Sequence, residues 1–339
     1  MTPVNDGDHV QRCLDEMKRR DVDVLVLGRE SNARYLSGAT RLWLSGTRPF
    51  GPGCVVVRDT GAVHLLSTTD DLIPLPRDQL FPMSWNPATI VGALGAIPGV
   101  AGARRVGVDG MTPGFEHLLR NVVPDAELVD GEHLLASVRL IKSPSDVRAI
   151  KVAIRVAEGA LQSTVRSMVP GVRERELLGA FAEAACALGV TTPAFDGVFT
   201  VVDGAGPGSF STDRQVRVGD LVDVSVGVLA QGWEGRLART WSCSPPTESQ
   251  RAARLQWREE RDAVVSRIRP GTRVDELRAP RVDVRGVGAG DELLDDTQAL
   301  EAGMVLAVGV RHAGIHGEDT FLVTDAGHEA LTTFPDQPA

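Results

Sequence analysis

The stretch Pro170-Gly171-Val172-Arg173-Glu174-Arg175-Glu176-Leu177-Leu178 decides the fold, because it returns as Pro270-Gly271-Thr272-Arg273-Val274-Asp275-Glu276-Leu277-Arg278. A Pro-Gly pair ends the element before it, and the charged run that follows reads as a helix start. Each copy then reaches a strand opened by glycine, Gly219-Asp220-Leu221-Val222-Asp223-Val224 in the first and Gly303-Met304-Val305-Leu306-Ala307-Val308 in the second. Such self-similarity marks a duplicated structural unit. Gly171 to Gly219 spans 48 residues and Gly271 to Gly303 only 32, so the second copy has lost about a helix and its turn.

Upstream of the repeat, Ser143-Pro144-Ser145-Asp146 offers an N-cap, a proline at the first helical position and an acid at the third. The apolar positions Val147, Ile150, Ile154, Ala157, Leu161 and Val165 then recur at three and four residues, predicting a long helix. Earlier still, a helical pattern over residues 8 to 20 feeds the run Val22 to Leu27. Strands follow at Cys54 to Val57 and Ala62 to Leu66, split by the turn Asp59-Thr60-Gly61. With Val106 to Val108 as a further strand and Gly114 to Val122 as a helix, the first 130 or so residues form one mixed α/β unit. A chain of 339 residues is too long to sit comfortably as one domain. We place the two domains at 1–135 and 136–337.

Composition removes several classes of function. Thirty-six basic residues face 45 acidic ones, a net charge of -9, which argues against general attraction to nucleic acid or to an anionic membrane. No apolar run approaches the roughly 20 residues of a membrane span, and the N-terminus is polar, so a cytoplasmic protein is expected. Cys13, Cys54, Cys186 and Cys243 form no CxxC pair and predict neither a zinc site nor a disulfide framework. Gly286, Gly288 and Gly290 have the wrong spacing for a dinucleotide loop.

A pair of αβ repeats behind an α/β N-terminal domain resembles the pita-bread fold of creatinase, aminopeptidase P and prolidase. Asn32 with Tyr35-Leu36-Ser37-Gly38, Arg139-Leu140-Ile141-Lys142-Ser143, Phe195-Asp196, Thr212-Asp213-Arg214, Arg239-Thr240 and Glu318-Asp319-Thr320 fall in that family's order. The resemblance implies an N-terminal creatinase-like domain, a pita-bread domain with an internal pseudo-twofold, and a homodimer. It also implies two divalent ions held by two aspartates, a histidine and two glutamates. At those five positions this chain has Ser225, Arg236, Arg285, Gly309 and Glu318, so one ligand of five survives. The family's helper histidines fall in the segment Gly204 to Phe210, which has none, and at Glu292. No metal and no cofactor are therefore expected.

Two arginines and one glutamate in place of that ligand set sum to plus one. Either Arg236 and Arg285 pair with Glu318 and plug the old site, or the excess charge holds the carboxylate or phosphate of a small ligand. By the same alignment Trp233, Glu234, Arg239, Arg311, His312 and His316 lie near the cleft. His316 and Glu318 are two apart on a strand and so face one way, as an acid and base pair near neutral pH would. Ser225 has no base partner recognisable in the sequence. The expected function is a metal-independent enzyme of the creatinase type. His316 and Glu318 act on a small, polar, carboxylate-bearing nitrogenous compound, with C-N hydrolysis or related lyase chemistry. A non-catalytic binder and a true dinuclear metallopeptidase are the alternatives.

Overall fold

The computed structural model describes residues 8–39, 53–67, 73–82, 86–203, 208–290 and 292–337. Contacts divide the chain into Met1–Arg139 and Leu140–Ala339. The first unit runs α1 (Asp8–Arg19), β1 (Val24–Leu27), α2 (Glu30–Ser37), β2 (Cys54–Val57), β3 (Ala62–Ser67), β4 (Leu80–Pro82), α3 (Pro87–Ala96), β5 (Arg105–Asp109), α4 (Pro113–Leu119), β6 (Glu127–Asp130) and α5 (Gly131–Leu140). Its sheet has the order β4-β3-β2-β1-β5-β6, with β1 antiparallel to β2 and parallel to β5. Every residue of β1 and β2 is buried, as a strand covered on both faces requires. Asp109, at the end of β5, accepts from the backbone of Gly28 and Arg29 and from the Asn32 amide, which fastens the start of α2 to the sheet.

The second unit opens with α6 (Pro144–Val165), whose capping box forms as read: Asp146 N donates to Ser143 Oγ and Ser143 N to the Asp146 carboxylate. There follow α7 (Glu174–Ala187), β7 (Val198–Val201), β8 (Leu221–Ala230), β9 (Trp233–Ser242), α8 (Glu248–Val265), α9 (Val274–Leu277), β10 (Val282–Gly286), β11 (Val305–His312), β12 (Ile315–Thr324) and β13 (Gly327–Ala330). The strands form one sheet in the order β10-β11-β12-β9-β8-β7, and β13 pairs with β12.

The repeat is visible in the backbone. Gly171 N donates to Val216 O and Gly271 N to Leu300 O; Glu174 N reaches Arg214 O and Val274 N reaches Gln298 O. Gly171 and Gly271 both have φ near +90°, which a side chain would strain. The second copy is shorter because α9 is a single turn of 4 residues where α7 has 14.

Each half of the sheet lies on its own helix, and glycine sets the distance. A Cβ at Gly235 of β9 would stand 2.1 Å from the Ala153 carbonyl carbon of α6, and one at Gly317 of β12 would stand 2.3 Å from the Trp257 ring of α8. The Trp257 indole also donates to Val310 O at 2.9 Å. A backbone carbonyl inside a helix cannot step aside, so Gly235→Ala is expected to cost about 3 kcal/mol through overpacking, read as a lower urea midpoint.

Candidate functional site

Strand alternation sorts the side chains of β8 to β12 into a helix-packed face and an open face. On the open face the register aligns three rows. Ser225, Ala238, Glu318, Gly309 and Asp283 follow one another across the sheet; Asp223, Thr240, His316 and Arg311 lie on one side of that row, and Gly227, Arg236, Ala307 and Arg285 on the other. Of these, Ser225, Arg236, Asp283, Arg285, Gly309, Arg311, His316 and Glu318 line a cavity of about 380 Å3, together with Glu234, Ala194, Phe195 and the Pro280–Val282 segment.

All five positions where the resemblance places metal ligands line this one cavity, but their chemistry is altered. Arg236 is buried at its floor. Its Nε donates to Glu318 Oε1 at 2.7 Å, one Nη to Glu318 Oε2 at 3.4 Å and the other to Glu234 Oε1 at 3.0 Å, while its guanidinium carbon stands 4.7 Å from the centre of the Phe195 ring. Burial works against this charge, yet Glu318 and Glu234 outweigh it and raise the guanidinium pKa above its ordinary value. Of the five positions only Glu318 offers an anionic oxygen, and Arg236 holds it. Among the described residues no group of three or more His, Cys, Asp or Glu side chains is arranged to hold an ion. This donor set does not fit a pair of divalent cations, which need several convergent oxygen or imidazole ligands.

A second polar group lies beside the first. His316 Nδ1 meets Asp223 Oδ1 at 2.9 Å, and Arg311 donates to Asp223 Oδ2 at 3.2 Å. A carboxylate only accepts, so the neutral imidazole carries its hydrogen on Nδ1 and presents Nε2 as a lone pair. Burial tends to raise the Asp223 carboxyl, but the hydrogen bond from His316 and the Arg311 guanidinium outweigh it and hold the group below the ordinary aspartate value. The missing side chain at Gly309 leaves a notch: a Cβ there would lie 3.6 Å from Glu318 Oε2 and 3.7 Å from His316 Nε2. An atom seated in the notch would meet both groups.

The structure thus brings together Ser225, Glu234, Arg236, Arg285, Arg311, His316 and Glu318. It corrects four expectations. Arg239 and Trp233 lie an odd number of residues from Arg236 and so face the other side of β9. Arg239 there takes the carbonyls of Ala238 and Glu318, the Asp319 carboxylate at 2.5 Å and Phe334 O. His312 lies on the helix face of β11, its Nδ1 2.7 Å from Glu260 Oε1 and its Nε2 near Gln256 of α8. Arg285 does not reach Glu318; it donates to Asp283, two residues away on its own strand. The charge is not an excess of one: Arg236, Arg281, Arg285 and Arg311 are matched by Glu234, Asp283, Glu318 and the Asp223 behind them. The reading missed Asp223 and Asp283, although each sits two residues from a position it named and so had to share its face. Residues 204–207 of the segment expected to carry a family histidine lie outside the described residues. Glu292 is buried, with Lys142 Nζ 3.7 Å away.

Residues 9–141 match the creatinase/prolidase N-terminal domain, and residues 148–284 match metallopeptidase family M24. The Xaa-Pro dipeptidase of Pyrococcus horikoshii is 21% identical over 96% of this chain and 97% of its own length. That of Pyrococcus furiosus is 22% identical over the same shares. Among solved structures, the prolidase from Pyrococcus horikoshii superposes with a TM-score of 0.78 at 20% identity, covering 97% of this chain and 99% of that one. An X-Pro aminopeptidase from Thermotoga maritima gives 0.78 at 16%, covering 97% and 98%. Among the described residues no helix is long and apolar enough to cross a membrane.

Proposed function

We infer that this chain, which belongs to the creatinase, aminopeptidase P and prolidase family, hydrolyses the C-N bond of a small carboxylate-bearing compound without the paired divalent ions of its relatives. The observation that carries this reading is the notch at Gly309, flanked by His316 Nε2 and Glu318 Oε2. His316, steadied by Asp223, takes a proton from a water in the notch as its oxygen adds to the carbonyl or amidine carbon. The C-N bond then breaks and the imidazolium returns the proton to the leaving nitrogen. Proton transfer of this kind contributes roughly 10²- to 10⁴-fold. Arg311 and Arg285 are the exposed cations available to the substrate carboxylate, and Arg236 fixes Glu318 in place by two hydrogen bonds.

The names of the relatives make Xaa-Pro dipeptides the first compounds to assay. The protein is expected to act as a homodimer, as the family resemblance implies, and in the cytoplasm, as its polar N-terminus leads us to expect. One test is hydrolysis of a panel of dipeptides and N-acyl amino acids in EDTA and again with added manganese or cobalt. The proposal expects turnover in EDTA, no gain from either metal, and loss in His316→Gln. Turnover only with metal would overturn it.

The ion cluster of Arg236 with Glu234 and Glu318 also favours a second reading, binding without turnover. In that case His316→Gln would leave ligand affinity unchanged and no member of the panel would be cleaved.

A further inference from the structure

Charge is unevenly distributed in this cavity. Glu234, Arg236, His316 and Glu318 form a floor almost closed to solvent, whereas Arg285 and Arg311 are about half exposed, at 49% and 48% of their side chains. Gly309 lies midway between these two arginines. Arg311 is two residues along β11 from it, and Arg285 pairs with Ala307, two residues the other way. Four residues of strand are about 13 Å of backbone, and both long side chains line the same cavity. Each gives one nitrogen to an aspartate, Arg311 to Asp223 and Arg285 to Asp283, and each guanidinium carries further donors in its fork.

We propose that the cavity takes a molecule with two carboxylates, one at Arg311 and one at Arg285, which lays the middle of the molecule over the Gly309 notch. Resting on the hydrolase reading, this names the substrate class as an amide with a carboxylate on each side of its C-N bond, an N-carboxyacyl amino acid. Adding one water across that bond yields a dicarboxylic acid and an amino acid, so both products leave with one of the anchoring charges. A reaction that acylates an amino acid with a dicarboxylic acid must supply such a substrate.

The binding claim is tested without turnover, by calorimetric titration of the whole protein with glutarate, malonate and butyrate at fixed ionic strength. Glutarate separates its two carboxylates by three carbons, malonate carries the same charge across one, and butyrate has one carboxylate. Glutarate is expected to bind on the order of ten-fold more tightly than either, as one added Arg-carboxylate contact allows. Arg285→Gln should bring it to the butyrate level, and an unchanged thermal midpoint would show that the exposed substitution leaves the fold intact. Equal affinity for malonate and glutarate, persistence of the glutarate preference in the variant, or no binding of any of the three would each overturn the inference. Glutarate binding in a protein that cleaves nothing would sink the hydrolase and keep the dicarboxylate site. Cleavage of Xaa-Pro dipeptides with no glutarate preference would do the reverse.

Discussion

Replacing His316 with glutamine is expected to lower kcat by roughly 10²- to 10⁴-fold while changing KM little, because proton transfer is lost and the arginines that bind carboxylate remain. Asp223→Asn should fall in the same range. Asparagine can still accept from Nδ1, but it lacks the charge that stabilises the imidazolium formed during turnover. The two losses should not add, since Asp223 acts through His316. The Asp223 carboxyl also predicts an acid limb in stability. Its native pKa lies below the ordinary 3.8, so the unfolded chain protonates first as pH falls. Its contribution is complete above pH 3.8 and disappears as pH drops through the native value. Urea midpoints measured between pH 6 and about 2.5 should therefore fall less steeply for Asp223→Asn than for the parent.

Glu318→Ala is expected to cost about 3 kcal/mol of stability, since it removes two of the three hydrogen bonds of a buried guanidinium and leaves it only the one to Glu234. For a unit of this size that is about 10 °C in thermal midpoint. The paired replacement Arg236→Met with Glu318→Leu should be less damaging than Arg236→Met alone, which takes the guanidinium from two buried carboxylates where the pair takes it only from Glu234. A ligand residue in a metal centre would respond differently: Glu318→Ala would weaken metal binding, and the double variant would do no better. Thermal melts of the three variants with and without manganese separate the two cases.

The repeat was legible because it rests on backbone chemistry that sequence displays directly. Pro-Gly pairs at 170 and 270, the capping box at Ser143 and glycine-opened strands at 219 and 303 all appear where expected. Even the deletion in the second copy could be sized from the spacing, and the structure places it where α7 has become the single turn α9. The site was legible by alignment but only half legible by chemistry. Arg236 and Glu318 meet as read, and Arg285 does not, because Asp283 is a nearer partner on the same strand.

Faces explain most of what was missed. Strand alternation puts Glu234 with Arg236 and sends Trp233 and Arg239 to the opposite side, which the named positions alone could have shown. What sequence could not show is which strands are neighbours. Asp223 lies 93 residues from His316 and becomes its partner only through the order β12-β9-β8. Arg239 is the companion case. Its guanidinium links the carbonyls of Ala238 and Glu318 to the C-terminal stretch at Phe334, a structural role set by a tail 95 residues away.

The metal content of the purified protein decides whether an oriented histidine works without metal in this cleft, as we propose. Elemental analysis after dialysis against manganese, cobalt and zinc should give less than about a tenth of an equivalent of each, because a fixed guanidinium occupies the floor beside the one remaining carboxylate. Two equivalents of any one, lost in Glu318→Ala, would contradict the account and return the cavity to metallopeptidase chemistry.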